Sequence, residues 1–516
     1  MPLLWRVRRW AATAGVLGLS ALGTVLWLRS LQSLGRKRRL LLLTGAGERV
    51  CLDTTVLDGI AAVRETYSLG SAGGFLPDRC LERLPPSCDA WEALIDELPK
   101  LNQSGRLRGE VDAMPVLELA EVLPGARLEE LRRAYLVLGF LSHSYCHAPD
   151  VPWHLLKTGS ESLVAAVRFV DAVKTLPPQL ARPWFEVCKR LGMPMVLTAA
   201  TDIWNWRLKD PSQPFLPSNL ELISTMTGTA TERFFHAVPC AMQAAAAQVV
   251  PKLFLADLLV RERRHASLAQ LLLELADVLK EFRTIFREVS GVDPDIFWDI
   301  YRPCLAGFFP DGVALCGVPL ATALAAAEAG FIGGTTIKPA PLPGAEVELV
   351  SGEWQLVGDE AAGRPTSRPA PPPHGDAGVV AMASSKGPSA GQSTMILLID
   401  SFLGVEHDAS GSAFQDEMMG YMPEPHRRMV RDYRQKWTRT TPVRQYVSER
   451  QANVEGLVEA FNECVGAMRD FRKFHLATVT RYLPRTGTGT GASTWRTFLQ
   501  GCLDRTQAAS LHCPCK

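Results

Sequence analysis

The sequence predicts an all-α protein. It reads as a small N-terminal helical domain and a large helical domain, with a long irregular loop in the second and an apolar segment ahead of both. Three observations lead there. Apolar residues recur at helical spacing over most of the chain. Between 184 and 330 the two-residue alternation of a strand is nearly absent. At 516 residues the chain is long enough for two cores. The net charge of +1 gives no basic field, which argues against nucleic acid as a partner.

The N-terminus comes first. Trp10 to Leu28 is an uncharged run of 19 residues, about one membrane crossing. Arg6, Arg8 and Arg9 precede it; Arg29, Arg36, Lys37, Arg38 and Arg39 follow. The heavier positive side behind the run favours an N-terminal anchor with the body in the cytoplasm. A secretory signal and an Arg-rich transit peptide are the alternatives. Residues 1–45 are set apart from the two helical domains as anchor or targeting segment. Most of the twelve cysteines are scattered singly, which suits reduced thiols in an intracellular compartment. Cys513 and Cys515, beside His512, could hold a metal, but a frayed tail explains them more simply.

Residues 50–180 form the small helical domain. Leu128, Leu131, Ala134, Tyr135, Val137, Leu138 and Leu141 lie on one helical face. His143, Cys146 and His147 follow in Ser142–His147; a helix end accounts for them better than a metal site without a partner motif. Residues 184–505 form the large domain. Leu268, Leu271, Leu272, Leu275, Val278, Leu279, Phe282 and Ile285 make one stripe, and Pro251 and Pro294 mark breaks. Residues 335–388 hold many Pro, Gly, Ala and Ser, and predict a mobile loop. Within it, 347–350 and 354–357 could pair as a hairpin. Helical order returns at Met395–Leu403.

The most informative stretch is 411–430. An apolar, Met-rich segment runs into Tyr421-Met422-Pro423-Glu424-Pro425, and His426 follows. The prolines should end one helix and start another, placing His426 rigidly in a first turn. Such an imidazole can ligate a metal, act as a base, or cap and hydrogen-bond. A last long helix, about Val454 to Tyr482, carries His475 on its apolar face, where a satisfied core histidine is the simpler reading. The Gly/Thr run Gly487 to Gly491 lacks the lysine and preceding strand of a phosphate loop, and suits a segment that closes over a pocket.

Taken together, these motifs resemble the indoleamine 2,3-dioxygenase family, haem enzymes that open the indole ring of tryptophan. Tyr421 to Arg427 is similar to the segment carrying the proximal haem ligand, which makes His426 the expected iron ligand. Ser389-Ala390-Gly391-Gln392-Ser393 is similar to the loop over the distal haem face. Phe234-Phe235 matches a distal phenylalanine pair, and Phe297 and Arg302 match residues that meet the substrate. Asn205-Trp206 with Lys209-Asp210-Pro211 matches a turn before the distal helices. Thr490 matches a loop threonine at the substrate, and Asp400 an aspartate beneath the haem. The resemblance covers roughly 50–505. It implies haem b as cofactor, dioxygen as co-substrate, and L-tryptophan or a related indoleamine as substrate, converted to N-formylkynurenine. It also implies an electron donor that keeps the iron ferrous. A monomer is expected.

The chain departs from the family at Val238, where a small polar residue is usual, and at Thr198 and Thr201, which replace a tyrosine and a cysteine. Thr198 and Val238 are expected beside the indole ring, with Phe234, Phe297, Arg302, Ser389, Ala390 and Thr490. Phe235 and Asp400 are expected at the haem. No side chain is expected to act as acid or base, because the distal residues are apolar; Arg302 would pair with the substrate carboxylate. His426 should pass its other N–H to an acceptor, with Asp400 the candidate. Two other readings fit the residues: a haem-binding sensor or carrier with little turnover, and a tethered helical scaffold without haem.

Overall fold

A computed structural model describes residues 40–43, 49–52, 63–71, 74–148, 174–341, 347–350, 353–356, 379–436, 441–450, 454–483, 487–492 and 494–512. The apolar run Trp10–Leu28 and the Cys513/Cys515 pair lie outside them. The described residues are mostly helical, as the periodicity predicts. Leu128–His147 is buried at almost every position from Leu131 to Cys146 and packs between Asp89–Ser104 and Pro178–Leu191. The apolar stripe of His265–Phe286 lies along Leu457–Tyr482, the longest helix pair among the described residues.

The core forms two clusters. The first joins Trp91, Tyr135, Phe140, Trp184, Phe297, Tyr301 and Tyr421, and so draws on both sides of residue 180. The second joins Leu69, Phe75, Val238, Leu272, Phe282, Phe402 and Phe461. Helix Ala230–Ala246 serves both: Phe234 and Phe235 pack on the first, Ala237, Val238 and Ala241 belong to the second. Ala230–Arg261 is the one stretch among the described residues long and apolar enough to cross a membrane, yet here it is a core element.

The 335–388 stretch differs from expectation. It begins and ends in strands, Thr336–Pro341 and Val379–Ser384, paired antiparallel from Thr336↔Ser384 to Pro341↔Val379. Val313–Leu315 and Thr175–Leu176 complete a four-stranded sheet. Pro339 and Pro341 argue against a strand, because proline cannot donate to a ladder. Thr336–Pro341 is an edge strand, where alternate N–H groups need no partner. Val313–Leu315 is three buried residues, too short to show a period. The hairpin forms one residue earlier than expected in its second strand, with Val347–Val350 against Glu353–Leu356.

Candidate active site

Helix Glu424–Lys436 starts directly after Pro423, with Pro425 in its first turn, as proline chemistry requires. That start places His426 inside the protein, 2% exposed. Burial holds its imidazole down at about 3, with the Arg132 charge acting the same way, so the ring is neutral near pH 7. The backbone carbonyl of Ser68 accepts a hydrogen bond from the ring. Nε2 is buried with no hydrogen-bond partner. The Phe75 ring meets the imidazole edge-on at 4.9 Å. A neutral imidazole whose one N–H is engaged and whose other nitrogen keeps its lone pair is a metal donor.

The acceptor is therefore not Asp400. Both carboxylate oxygens of Asp400 take Arg472 Nη2 at 2.7 Å, and His407 Nε2 lies 3.0 Å from Oδ2. This is a buried ion pair joining helices Thr394–Leu403 and Leu457–Tyr482. Ser68 was missed because a backbone carbonyl leaves no mark in a sequence, and Phe75 because it lies about 350 positions from His426. The one available signal is glycine: a Cβ at Gly74 would lie 2.8 Å from Ala247, so this segment approaches another backbone closely. Tyr67 donates to Asp432 at 2.8 Å and Arg428 to the Thr66 carbonyl at 2.6 Å, which hold the segment on the His426 helix.

The expected substrate residues form a second set. Phe297 opens a π-helical turn, Phe297–Tyr301, that runs into Arg302. Phe235 stacks on Phe297 at 5.3 Å and meets Tyr301 at 5.4 Å. Phe234 packs against Gly291, where a Cβ would collide with its ring, and lies under the Arg233 guanidinium. Arg302 stacks on Trp298 and donates from Nη2 to the Thr488 carbonyl at 3.2 Å. Its Nε is buried and unpartnered, and no carboxylate pairs with it among the described residues. Burial lowers its pKa, a sign that the charge lacks compensation. The Thr490 hydroxyl donates to the Pro388 carbonyl, and Gly387 N–H to the Thr490 carbonyl at 3.0 Å. Ser389 caps the turn Ala390–Gln392 by accepting from Gly391 N–H. The two loops and Arg302 are thus joined.

Thr198 and Val238 are both fully buried. The Thr198 hydroxyl accepts from Ala200 N–H at 3.1 Å, and Ala199 N–H donates to Gln392 of the distal-loop motif at 3.0 Å. His143 is committed to the backbone: Nδ1 faces the Cys304 carbonyl at 3.0 Å and Nε2 the Leu197 amide at 2.9 Å. His147 stacks on Phe308, and His475 on Phe471.

Fold and site together define a helical protein with a buried neutral imidazole whose Nε2 has no partner and a half-buried guanidinium with no carboxylate beside it among the described residues. The family model described as indoleamine 2,3-dioxygenase matches residues 63–315 and 374–488. Indoleamine 2,3-dioxygenase 1 of Rattus norvegicus is 27% identical over 485 residues, 89% of this chain and 98% of that protein. The indoleamine 2,3-dioxygenase of Saccharomyces cerevisiae is 26% identical over 442 residues, 82% and 80% respectively. The 6-hydroxytryptophan 2,3-dioxygenase of Fusarium equiseti is 25% identical over 442 residues, 84% and 89%. The chain belongs to the indoleamine 2,3-dioxygenase family.

Proposed function

We propose that this chain is a haem-dependent dioxygenase that adds both atoms of dioxygen across the indole C2–C3 bond of L-tryptophan, or a close relative, to give N-formylkynurenine. One observation carries the reading: among the family motifs, the buried polar atoms without partners are His426 Nε2 and Arg302 Nε, a lone pair that can bind a metal and an N–H that can donate to an anion.

The residues fit haem. His426 would ligate the iron, with Ser68 fixing its tautomer. The bound haem would supply the iron that activates dioxygen. Arg302 binds the amino-acid carboxylate through its planar donors. Phe234 and Phe297 enclose the indole and exclude water, and Phe235, stacked on Phe297, would meet the haem. The loop around Thr490 and Ser389 covers the substrate. These side chains bind and orient; none is assigned a proton transfer. An electron donor keeps the iron ferrous. We further propose an intracellular monomer, anchored through residues 10–28. The Fusarium relative's name supports including ring-hydroxylated tryptophan among the substrates to be tried.

The test is the visible spectrum of purified, haem-supplied protein, then kynurenine formation under reductant with L-tryptophan. A haem band that moves on adding L-tryptophan, with product, is expected. No haem band would leave a scaffold, and haem without product a carrier. His426→Ala should lose most haem and His475→Ala should keep it; the reverse would overturn the ligand assignment.

A further inference from the structure

One buried polar string has no role in this reading. Asp202 lies in the short helix Ala200–Trp204, His236 on Ala230–Ala246, and Tyr301 at the end of the π-helical turn. His236 Nδ1 is 2.5 Å from Asp202 Oδ1, and its Nε2 is hydrogen-bonded to the Tyr301 hydroxyl. His236 is 3% exposed and Tyr301 fully buried. Phe235 touches both, with centroids 5.5 and 5.4 Å away.

The chemistry of the string is determinate. Asp202 accepts the Nδ1 proton. Nε2 of a neutral ring then accepts from the Tyr301 hydroxyl; a charged ring donates to it instead. Burial opposes a charged ring, but the adjacent Asp202 carboxylate lifts His236 above its ordinary value. In both states each group keeps a partner, so the string survives proton uptake.

Its position matters more. A π-helical turn carries one extra residue and persists where something holds it. Asp293 caps its entry, accepting from Ile296 N–H at 2.9 Å, and Asp293 N–H donates to Thr231 at 3.0 Å. His143 holds the Cys304 carbonyl beyond its exit. Tyr301 is the turn's own anchor. It sits four residues after Phe297 and directly before Arg302, and its hydroxyl is tied to the helix that carries Phe234 and Phe235.

We propose that Asp202, His236 and Tyr301 are positioning residues that set the spacing between Arg302 and the Phe235–Phe297 aromatic pair, and so select indole amino acids over indole amines. The proposal rests on the dioxygenase reading for the identity of the ligand, not for the existence of the strut.

Hydrogen exchange on the haem-supplied full chain tests the strut without turnover. Tyr301→Phe removes one oxygen. It should speed exchange in peptides covering 294–304 about tenfold, the weight of one hydrogen bond to a polar network, and leave peptides covering 424–436 unchanged. Unchanged exchange at 294–304, or an equal rise in both regions, overturns the proposal. Kinetics then test selection. In Tyr301→Phe, KM for L-tryptophan should rise about tenfold, kcat should hold within about twofold, and tryptamine should shift little. Equal shifts for both substrates overturn selection. A triple variant, Asp202→Ala with His236→Leu and Tyr301→Phe, removes the orphaned groups together. It should regain melting temperature while KM stays raised; recovery of both would show a merely structural role. If the parent binds no haem or makes no kynurenine, the dioxygenase reading fails, and exchange at 294–304 still decides the strut.

Discussion

At the scale of a residue, Arg302 is held at its rim and unpaired at its centre: Nη2 meets Thr488, the face meets Trp298, and Nε meets nothing. A carboxylate supplied by substrate would compensate that charge. Arg302→Leu should therefore leave haem content unchanged and weaken L-tryptophan binding ten- to a hundredfold, about 1.5–3 kcal/mol. Loss of haem alone would make Arg302 structural. Ser68 sits at φ 53°, the left-handed region. Ser68→Gly should be tolerated. Ser68→Val should cost about 1–2 kcal/mol and loosen haem, read by melting with and without haem. Glu92 and Arg133 form a buried pair at 2.6 Å; Arg133→Leu strands the carboxylate and should cost about 3–5 kcal/mol in denaturant unfolding. The fixed first-turn position of His426 was legible from Pro423 and Pro425 just before it, whereas Arg302 stood out only through the family resemblance. Asp400 was legible as a residue but not as a partner: Arg472, which occupies it, is 72 positions away, and sequence spacing does not encode that meeting.

At the scale of an element, the helices were legible because each buries a face, and a buried face imposes a period. The sheet was not. Its strands are short, buried or proline-bearing, and each of those properties erases the alternation that marks a strand. The segment 63–71 was equally silent, yet it carries the acceptor for His426. A chain starting at residue 46 should bind haem and turn over, whereas one starting at residue 76 should lose haem retention. Equal haem occupancy in the two would show that the Ser68 carbonyl is dispensable.

At the scale of the whole molecule, buried histidines set the acid limit. Burial holds His143 well below its ordinary value and His147 at about 4. Both are depressed in the folded state, so the unfolded chain binds protons first as pH falls. Stability is full above about 6.5 and is lost progressively toward pH 4. For His143 the reason is geometric: protonated Nε2 could not accept from Leu197 N–H. His236 has the opposite sign, contributing below about 6.5 and losing that contribution as pH rises through its raised value. His147→Gln should flatten the acid limb of a melting-temperature profile. An unchanged limb would assign the slope to other groups.

The tie between Ser68 and His426 has one further consequence. What the segment supplies is a carbonyl, and every amino acid has one. Exchanging one residue for another can strain this contact but cannot delete it. Adding or removing a single residue between Thr66 and Phe75 would delete it. The tautomer of His426 is thus inherited through chain length rather than through chemical identity. Within this family, an insertion there should be rarer than any replacement.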